Sequence, residues 1–509
     1  MADEVISELG RAARGGAIAL IGLLISAVFG FLVRALIGRA YGPTVYGAYN
    51  LAFTVFTIVL VVAIYGFPMG LQRQVSYFRE KRPDKVGELV WTALGLVLVS
   101  SITGLVVIEL SRGFLSTHLL SQLESRKVLM VLLGIIALAL PPTALRVSLV
   151  SATQGFKRVR EYFIYGRIFF PLTYFSVTAI LILLGRDIRY IVAGYVISQI
   201  LTFLLLYRDT RRFGILSDGF KFSFKLAKVL LAFSIPLMFS NIIGFVMGWT
   251  DTLMLGYYLG AKVTGVYNAA APLARFLPVF LSAFTVIYSP IATSFYARKK
   301  LDQLNIFYSS IAKWILLLTF PLFFILVSVP GRIIELLFGP SYLGASLSLV
   351  ILSLGYMFHS IVGPNGLTLV SIGKPKQEMI GNTIGAVMNV VLNLLLIPVY
   401  GMTGAAIATS SSYVLANLYK SLLLWEYGIK PFGGKYVRIL VLAGGITIAN
   451  LLLPPNLHLL AFVFGLALFF PAVLLVRGLE RVDLELLKTA FRKFGINGDK
   501  LIKALEKYV

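Results

Sequence analysis

One segment of the sequence occurs twice, and this repetition constrains the fold more than any other feature. The first copy, at 37–52, reads IGRAYGPTVYGAYNLA, and the second copy, at 255–270, reads LGYYLGAKVTGVYNAA. The identical residues recur 218 positions later and are, in the first copy, Gly38, Gly42, Val45, Gly47, Tyr49, Asn50 and Ala52. A weaker match at the same offset relates Gly155 to Gly373. The chain is therefore predicted to contain two related halves, an architecture found in many transporters.

The composition places both halves in a membrane. Of the 509 residues, 58% are hydrophobic and only 13% are charged, which leaves too little polar surface for a soluble globule. Runs of about 20 apolar residues, the length that crosses the hydrocarbon core, occur about fourteen times. They cover 16–38, 45–67, 88–108, 128–150, 163–184, 190–207, 228–256, 264–290, 311–331, 343–372, 379–398, 403–425, 436–453 and 457–477.

We therefore predict an all-α integral membrane protein with about fourteen transmembrane helices, arranged as two pseudo-symmetric six-helix bundles and two extra C-terminal helices. The predicted parts are an N-terminal lobe at 1–207, a basic cytoplasmic linker at 208–228, a C-terminal lobe at 229–425, accessory helices at 426–477 and a basic cytoplasmic tail at 478–509.

The net charge of +24 does not indicate nucleic-acid binding. The lysines and arginines lie between apolar runs, whereas a nucleic-acid site needs them clustered on a water-exposed face. Most of the lysines and arginines fall in those loops between predicted spans that lie on the same side of the membrane as both termini. The positive-inside rule then predicts a multi-pass protein of the plasma membrane with both termini in the cytoplasm.

Three blocks of sequence resemble a known family. They are RAYGPTVYGAYNLA at 39–52, DTLMLGYYLGAKVTGVYNAA at 251–270 and GKPKQEMIGNTIGAVMNVVLNLLLIPVYGMTGAAIAT at 373–409. The chain resembles polysaccharide transporters, the O-antigen flippase branch of the multidrug/oligosaccharidyl-lipid/polysaccharide exporter superfamily, over roughly residues 10 to 425. The resemblance implies two six-helix bundles around a central V-shaped cavity and export of polyprenyl-diphosphate-linked sugars by alternating access.

Arginines inside the predicted spans are candidates for contact with such a substrate. Arg275 lies deep in the eighth span, where a charge costs about 2.5 to 3.5 kcal/mol on insertion scales. A guanidinium group matches phosphate oxygens in a bidentate way and stays charged, so Arg275 is the first candidate. A fixed ion pair between helices is the alternative. Arg34, Arg146 and Arg167 are further candidates for the same cationic cavity.

Other polar residues in the spans suggest gating and sugar binding. The repeat pairs Thr252 with Arg34, so Asp251 and Arg34 are predicted to form an outer gate pair. A helix-end carboxylate in contact with solvent or with a neighbouring span is equally consistent. His359 lies four residues before the break GPNG at 363–366 and either titrates during transport or is a neutral bundle residue. Polar cavity candidates on one face of the eleventh span are Asn382, Asn389 and Asn393. Interhelical packing explains these asparagines equally well.

The sequence does not indicate an enzyme. It lacks the GxxxxGK[ST] pattern that binds nucleotide phosphates, so ATP is not expected to be the direct energy source. With three histidines and no cysteine, a transition-metal site is not expected. We therefore predict no catalytic residues, no metal and no cofactor. A coupling ion, Na⁺ or H⁺, is left open.

The predicted function is a flippase that moves polyprenyl-diphosphate-linked oligosaccharide from the inner to the outer leaflet for cell-surface polysaccharide or glycan assembly. Alternatives are a cation-coupled multidrug exporter, a flippase for lipid-linked peptidoglycan precursors, and a non-transporting membrane scaffold. The drug exporter would need buried acids in the N-terminal lobe, where basic residues dominate. Because one chain supplies both lobes, a functional monomer is expected, with a polysaccharide polymerase or glycosyltransferase as a further partner.

Overall fold

The chain folds almost entirely into helices. The computed structural model describes the backbone of residues 2–120, 122–216, 219–430, 432–480, 483, 484 and 507, and no strand occurs among them. Side chains are described for the same residues except 2–21, 159, 239–241, 286 and 287. The predicted all-α fold is therefore confirmed over the described part of the chain.

Seventeen α-helices are present in the described residues, together with two short 3₁₀ helices (Pro83–Lys85 and Pro340–Ala345) and one π-helical turn (Ile164–Ile168). The α-helices are α1 (Ala2–Ala63), α2 (Phe67–Lys81), α3 (Val86–Leu119), α4 (Leu123–Ala137), α5 (Leu140–Gly155), α6 (Val159–Phe163), α7 (Phe169–Leu183), α8 (Ile188–Arg212), α9 (Phe224–Ala274), α10 (Val279–Ala297), α11 (Leu301–Ser328), α12 (Pro330–Phe338), α13 (Ser346–Ile361), α14 (Asn365–Ser371), α15 (Pro375–Glu426), α16 (Gly434–Leu451) and α17 (His458–Leu475).

The number of membrane crossings stays a prediction. By length and composition, the described residues contain 10 helices that could cross a membrane, or up to 12 if each of two bent pairs counts as one span. Three of the longest helices contain one residue with non-helical dihedral angles: Gly42 in α1, Gly260 in α9 and Gly401 in α15. Their φ angles of 75°, 79° and 60° lie in the region that favours glycine. Each glycine lies between two predicted spans.

Ring contacts show that α1 reverses direction at Gly42. Phe31 and Tyr46 each lie 5.9 Å, between ring centroids, from the same side chain of Phe338. On a straight helix these two residues would be about 22 Å apart, since each residue adds about 1.5 Å. The helix is therefore a hairpin of two arms.

The helices α9 and α15 reverse in the same way. In α9, the hydroxyl of Tyr267 donates to Oδ2 of Asp251 at 2.6 Å. In α15, Nδ2 of Asn389 donates to Oγ1 of Thr409 at 3.1 Å. Both pairs are too far apart in sequence to meet on a straight helix.

The hairpins α1 and α9 cross at a pair of glycines that the repeat relates to each other. A Cβ atom added to Gly47 would overlap the carbonyl oxygen of Ala261, and one added to Gly265 would overlap that of Pro43. Ala261 and Pro43 are themselves 218 positions apart, so the contact is the same in both directions. The pseudo-symmetry predicted from the repeat is thus present at the crossing.

The accessory helices pack on α11. Phe320 contacts Phe469 and Phe324 contacts Phe462, with ring centroids 4.2 Å and 5.5 Å apart. Most of the predicted tail lies outside the described residues. Its Asp483 is buried and accepts hydrogen bonds from Lys313 and from the indole of Trp314 on α11. Burial raises the pKa of Asp483, and the nearby charge of Lys313 opposes this shift.

Candidate functional site: a cationic cavity between the two hairpins

A cavity of about 250 Å³ lies between the first arm of α1 and the turn that follows α9. Its lining residues are Ser26, Ala27, Gly30, Phe31, Arg34, Pro272, Arg275, Phe276 and Val279. The two arginines are the only charged residues in this lining, so the cavity has a positive electrostatic character. Such a cavity suits an anionic ligand that must leave water.

Arg275 reaches the cavity because the helix ends beside it. Residue 275 is the C-cap of α9, and α10 begins only after Pro278, which has no backbone N–H to continue a helix. The guanidinium group donates one hydrogen bond to the carbonyl oxygen of Gly248, in the opposite arm of α9. Its Nε donates another, at 3.4 Å, to the hydroxyl of Tyr356. The position of Arg275 is thus fixed on two sides.

Arg34 comes from the other hairpin and faces the same tryptophan as Arg275. The guanidinium carbon of Arg34 lies 5.5 Å from the ring centroid of Trp249, and that of Arg275 lies 5.0 Å from it. These distances are typical of cation–π contacts. Two of the four predicted arginines are therefore brought together, one from each half of the chain.

Arg146 and Arg167 lie elsewhere in the N-terminal half and do not line this cavity. Nε of Arg146 donates to Oε1 of Gln199 at 2.7 Å, and its guanidinium carbon lies 5.0 Å from the ring centroid of Phe170. Arg167 donates to the hydroxyl of Tyr162 at 3.3 Å. Both side chains have partners within their own lobe, and their contact with substrate stays a prediction.

Asp251 is buried and pairs with groups other than Arg34 in this structure. Its Oδ2 accepts from the hydroxyl of Tyr267 at 2.6 Å, and its Oδ1 accepts from the backbone N–H of Thr252 at 2.7 Å. Among the described residues, no salt bridge joins it to Arg34. The gate pair therefore stays a prediction that needs a second conformation.

Asn389 and Asn393 lie within the α15 hairpin, outside the lining of the cavity. Both are buried, and Nδ2 of Asn393 donates to Oδ1 of Asn389 at 3.1 Å. They connect the two arms of the hairpin through the bond from Asn389 to Thr409. Their predicted role in sugar binding remains untested.

Asn382 and His359 also have protein partners. Asn382 donates to Glu378 at 2.6 Å and accepts a hydrogen bond from Lys420. Nδ1 of His359 lies 3.2 Å from Oδ1 of Asn417. All four polar candidates thus bridge or brace helices of the second half, and none lines the cavity with the arginines.

The sequence did not single out Trp249. It lies two positions before Asp251 in an apolar span, where a tryptophan is unremarkable by hydropathy. The sequence contains only 4 tryptophans, and this one lies close to an acid inside a span. That combination was the signal that could have indicated a functional residue. Among the described residues, no group of three or more histidine, aspartate or glutamate side chains could hold a metal ion.

The fold is similar to that of a solved structure described as the lipid II flippase MurJ in an inward closed conformation. The TM-score is 0.72 at 18% identity, and the similarity covers 88% of this chain and 96% of that chain. At this identity the similarity shows the fold alone.

The curated relatives that are similar in sequence include a flippase and a transporter. A probable low-salt glycan biosynthesis flippase, Agl15, of Haloferax volcanii is 26% identical over 44% of this chain and 48% of its own length. A putative O-antigen transporter of Shigella flexneri is 22% identical over 78% of this chain and 92% of its own length.

Two family models match the chain. The MatE model matches residues 236–395, in the second half. The model described as polysaccharide biosynthesis protein matches residues 12–293, which is more than half of the chain. The chain therefore belongs to the polysaccharide biosynthesis protein family.

Proposed function

We propose that this protein is a flippase that moves polyprenyl-diphosphate-linked oligosaccharide from the inner to the outer leaflet of the plasma membrane by alternating access. The observation that carries the proposal is the cavity between the hairpins, whose charged lining residues are Arg34 and Arg275. The glycan flippase and the O-antigen transporter among the relatives support the same substrate class.

The chemistry of the cavity suits the headgroup of such a lipid. A diphosphate presents several charged oxygens, and guanidinium groups bind them through paired, charge-assisted hydrogen bonds. The two arginines come from different hairpins, so a bound diphosphate is held by both halves of the chain at once. The polyprenyl chain remains in the lipid, because its apolar surface is then kept out of water.

The multidrug exporter is the main competing function, because the MatE model matches part of the chain. A site for organic cations needs carboxylates in its lining, and the lining here contains arginines and no acid. The positive cavity therefore favours an anionic substrate. A flippase for peptidoglycan precursors has the same diphosphate chemistry and differs in the sugar.

The remaining parts of the proposal concern cell biology. The flippase acts as a monomer with both termini in the cytoplasm, and it delivers its substrate to a polysaccharide polymerase or glycosyltransferase. It is not an enzyme. Na⁺ or H⁺ drives transport, and the two are distinguished by which imposed gradient accelerates flipping.

The test is flipping of a fluorescent polyprenyl-diphosphate oligosaccharide in proteoliposomes, with and without an imposed ion gradient. Wild type is expected to flip the lipid and Arg275→Ala to lose most of this activity. Arg332→Ala, which removes an exposed arginine outside the cavity lining, is the matched control and is expected to behave as wild type. Folded wild type that flips nothing but carries organic cations would replace the proposal with the drug exporter.

A further inference from the structure

Trp249 is a half-buried aromatic residue that neither the resemblance nor the repeat assigns to a role. Its ring is parallel to that of Phe245, with an interplanar angle of 12° and centroids 6.1 Å apart. It lies one residue after Gly248, whose carbonyl oxygen accepts from Arg275. Trp249 is thus held by its own helix arm, in direct contact with the arginines of the cavity.

The indole is an attractive partner that two like charges share. Two guanidinium groups in one site repel each other strongly where the dielectric constant is low. Neither Arg34 nor Arg275 forms a salt bridge with a carboxylate of the described residues, and the nearby charge of the buried Asp251 acts on Arg275. The electron-rich face of an indole attracts cations, and both guanidinium carbons lie over this ring.

Arg34 depends on this contact more than Arg275 does. Arg275 is also held by Gly248 and Tyr356. Within the described part of the chain, Arg34 forms a cation–π contact with Trp249 and no side-chain hydrogen bond or salt bridge. The indole is thus the contact that holds Arg34 beside Arg275.

We propose that Trp249 is a positioning residue that spaces Arg34 and Arg275 so that the cavity selects a diphosphate over a monophosphate. A diphosphate offers one phosphate to each guanidinium group on either side of this spacing. A single phosphate could bind both guanidinium groups only if they moved away from the indole and toward the oxygens of that one phosphate. The inference rests on the proposed function for its lipid substrate, and its binding test does not require transport.

The transport test separates positioning from simple structural damage. Trp249→Leu is expected to raise the KM for a diphosphate-linked lipid about tenfold, with the maximal rate changed much less, because two cation–π contacts are lost. Trp249→Phe keeps an aromatic face and is expected to stay within about threefold of wild type. Trp425→Phe, which changes an exposed tryptophan, is the matched control. The preference for diphosphate-linked over monophosphate-linked lipid is expected to fall in Trp249→Leu alone.

The binding test uses the fluorescence of Trp249 in purified protein. The fluorescence of Trp249 is obtained by subtracting the fluorescence of Trp249→Phe from that of wild type. Both proteins contain the other tryptophans. Titration with inorganic diphosphate is expected to change this difference in a saturable way, at a concentration about tenfold lower than inorganic phosphate requires. A difference signal that responds to neither ion, or equally to both, overturns the inference.

The two hypotheses fail in different ways. If wild type flips no lipid while the Trp249 signal responds selectively to diphosphate, the proposed function is wrong and the inference stands. If wild type flips the lipid while Trp249→Leu keeps its KM and its preference for diphosphate, the inference is wrong and the proposed function stands. Thermal unfolding of each variant confirms that the compared proteins are folded.

Discussion

At the scale of single residues, Arg275 shows how a charged side chain is kept inside a membrane protein. It caps the C-terminus of α9, where the helix dipole favours a cation, and it donates to Gly248 and Tyr356. Arg275→Lys keeps the charge but loses the planar fork. We expect the KM for the lipid to rise about tenfold in Arg275→Lys, since part of the charge-assisted bonding is lost. Measurement of flipping against lipid concentration checks this, and a wild-type KM would contradict it.

A second residue-scale prediction concerns the N-cap of α8. Oδ1 of Asp187 accepts from the backbone N–H of Arg189 at 2.8 Å. This hydrogen bond lowers the pKa of Asp187 below its ordinary value of 3.8, and the nearby charge of Arg189 adds to the shift. The cap therefore stabilises the fold above that ordinary value, and the contribution is lost as the pH falls through the lowered pKa.

The matching experiment compares Asp187→Ala with Asp187→Asn. The alanine variant is expected to lower the free energy of unfolding by about 1 kcal/mol at pH 7, and its difference from wild type should shrink as the pH falls below 3.8. Asparagine caps helices without titrating, so Asp187→Asn should differ little from wild type at pH 7. Chemical unfolding in detergent at several pH values measures both. A difference that does not change with pH contradicts the assignment.

The arginines and the tryptophan of the site differ in how well the sequence predicts them. Arg34 and Arg275 could be predicted because a charge in an apolar span is costly and must serve a purpose. Trp249 carries no such cost, and its contact with both arginines depends on the way the two hairpins cross. The sequence therefore predicted the charges of the site and not the residue that contacts both of them.

At the scale of elements, the crossing of α1 and α9 requires glycine. Gly47→Ala is expected to destabilise the protein by about 1 to 3 kcal/mol, because its Cβ would overlap the carbonyl oxygen of Ala261. Gly445→Ala in α16 is the control, since nothing lies within 4 Å of an added Cβ there. It should be stabilising by about 0.5 to 1 kcal/mol through the lower entropy of the unfolded chain. Thermal unfolding measures the stability of both variants. Equal changes in stability for Gly47→Ala and Gly445→Ala would contradict the prediction.

The helix breaks differ in how clearly the sequence marks them. The reversals at Gly42 and Gly260 could be predicted because the repeat places a glycine between two apolar runs in each half. The 45° bend between α4 and α5 lies inside one predicted span. Hydropathy does not change at this bend. Only Pro141 and Pro142, at the start of α5, indicate that a helix restarts there.

At the scale of the whole molecule, the two halves contact each other on both sides of the cavity. On one side, α1 and α9 cross at Gly47 and Gly265. On the other, α2 packs on the first arm of α9, where a Cβ on Gly70 would overlap Ser234 and where Arg73 lies 4.3 Å from the ring centroid of Phe233. Alternating access requires each of these contacts to open in turn.

A disulfide across the contact between Gly70 and Ser234 tests this requirement. The sequence contains no cysteine, so no native thiol can form a competing disulfide. A Cβ added to Gly70 would lie 2.9 Å from the Cβ of Ser234, so a small shift brings the pair Gly70→Cys and Ser234→Cys to the roughly 3.5 to 4.5 Å of a disulfide. Oxidation is expected to abolish flipping because the halves can no longer separate there, and reduction should restore it. The single variant Gly70→Cys controls for the side chain itself. Full flipping by the cross-linked protein would mean that this contact stays closed throughout transport, and substrate would then have to enter the cavity by another route.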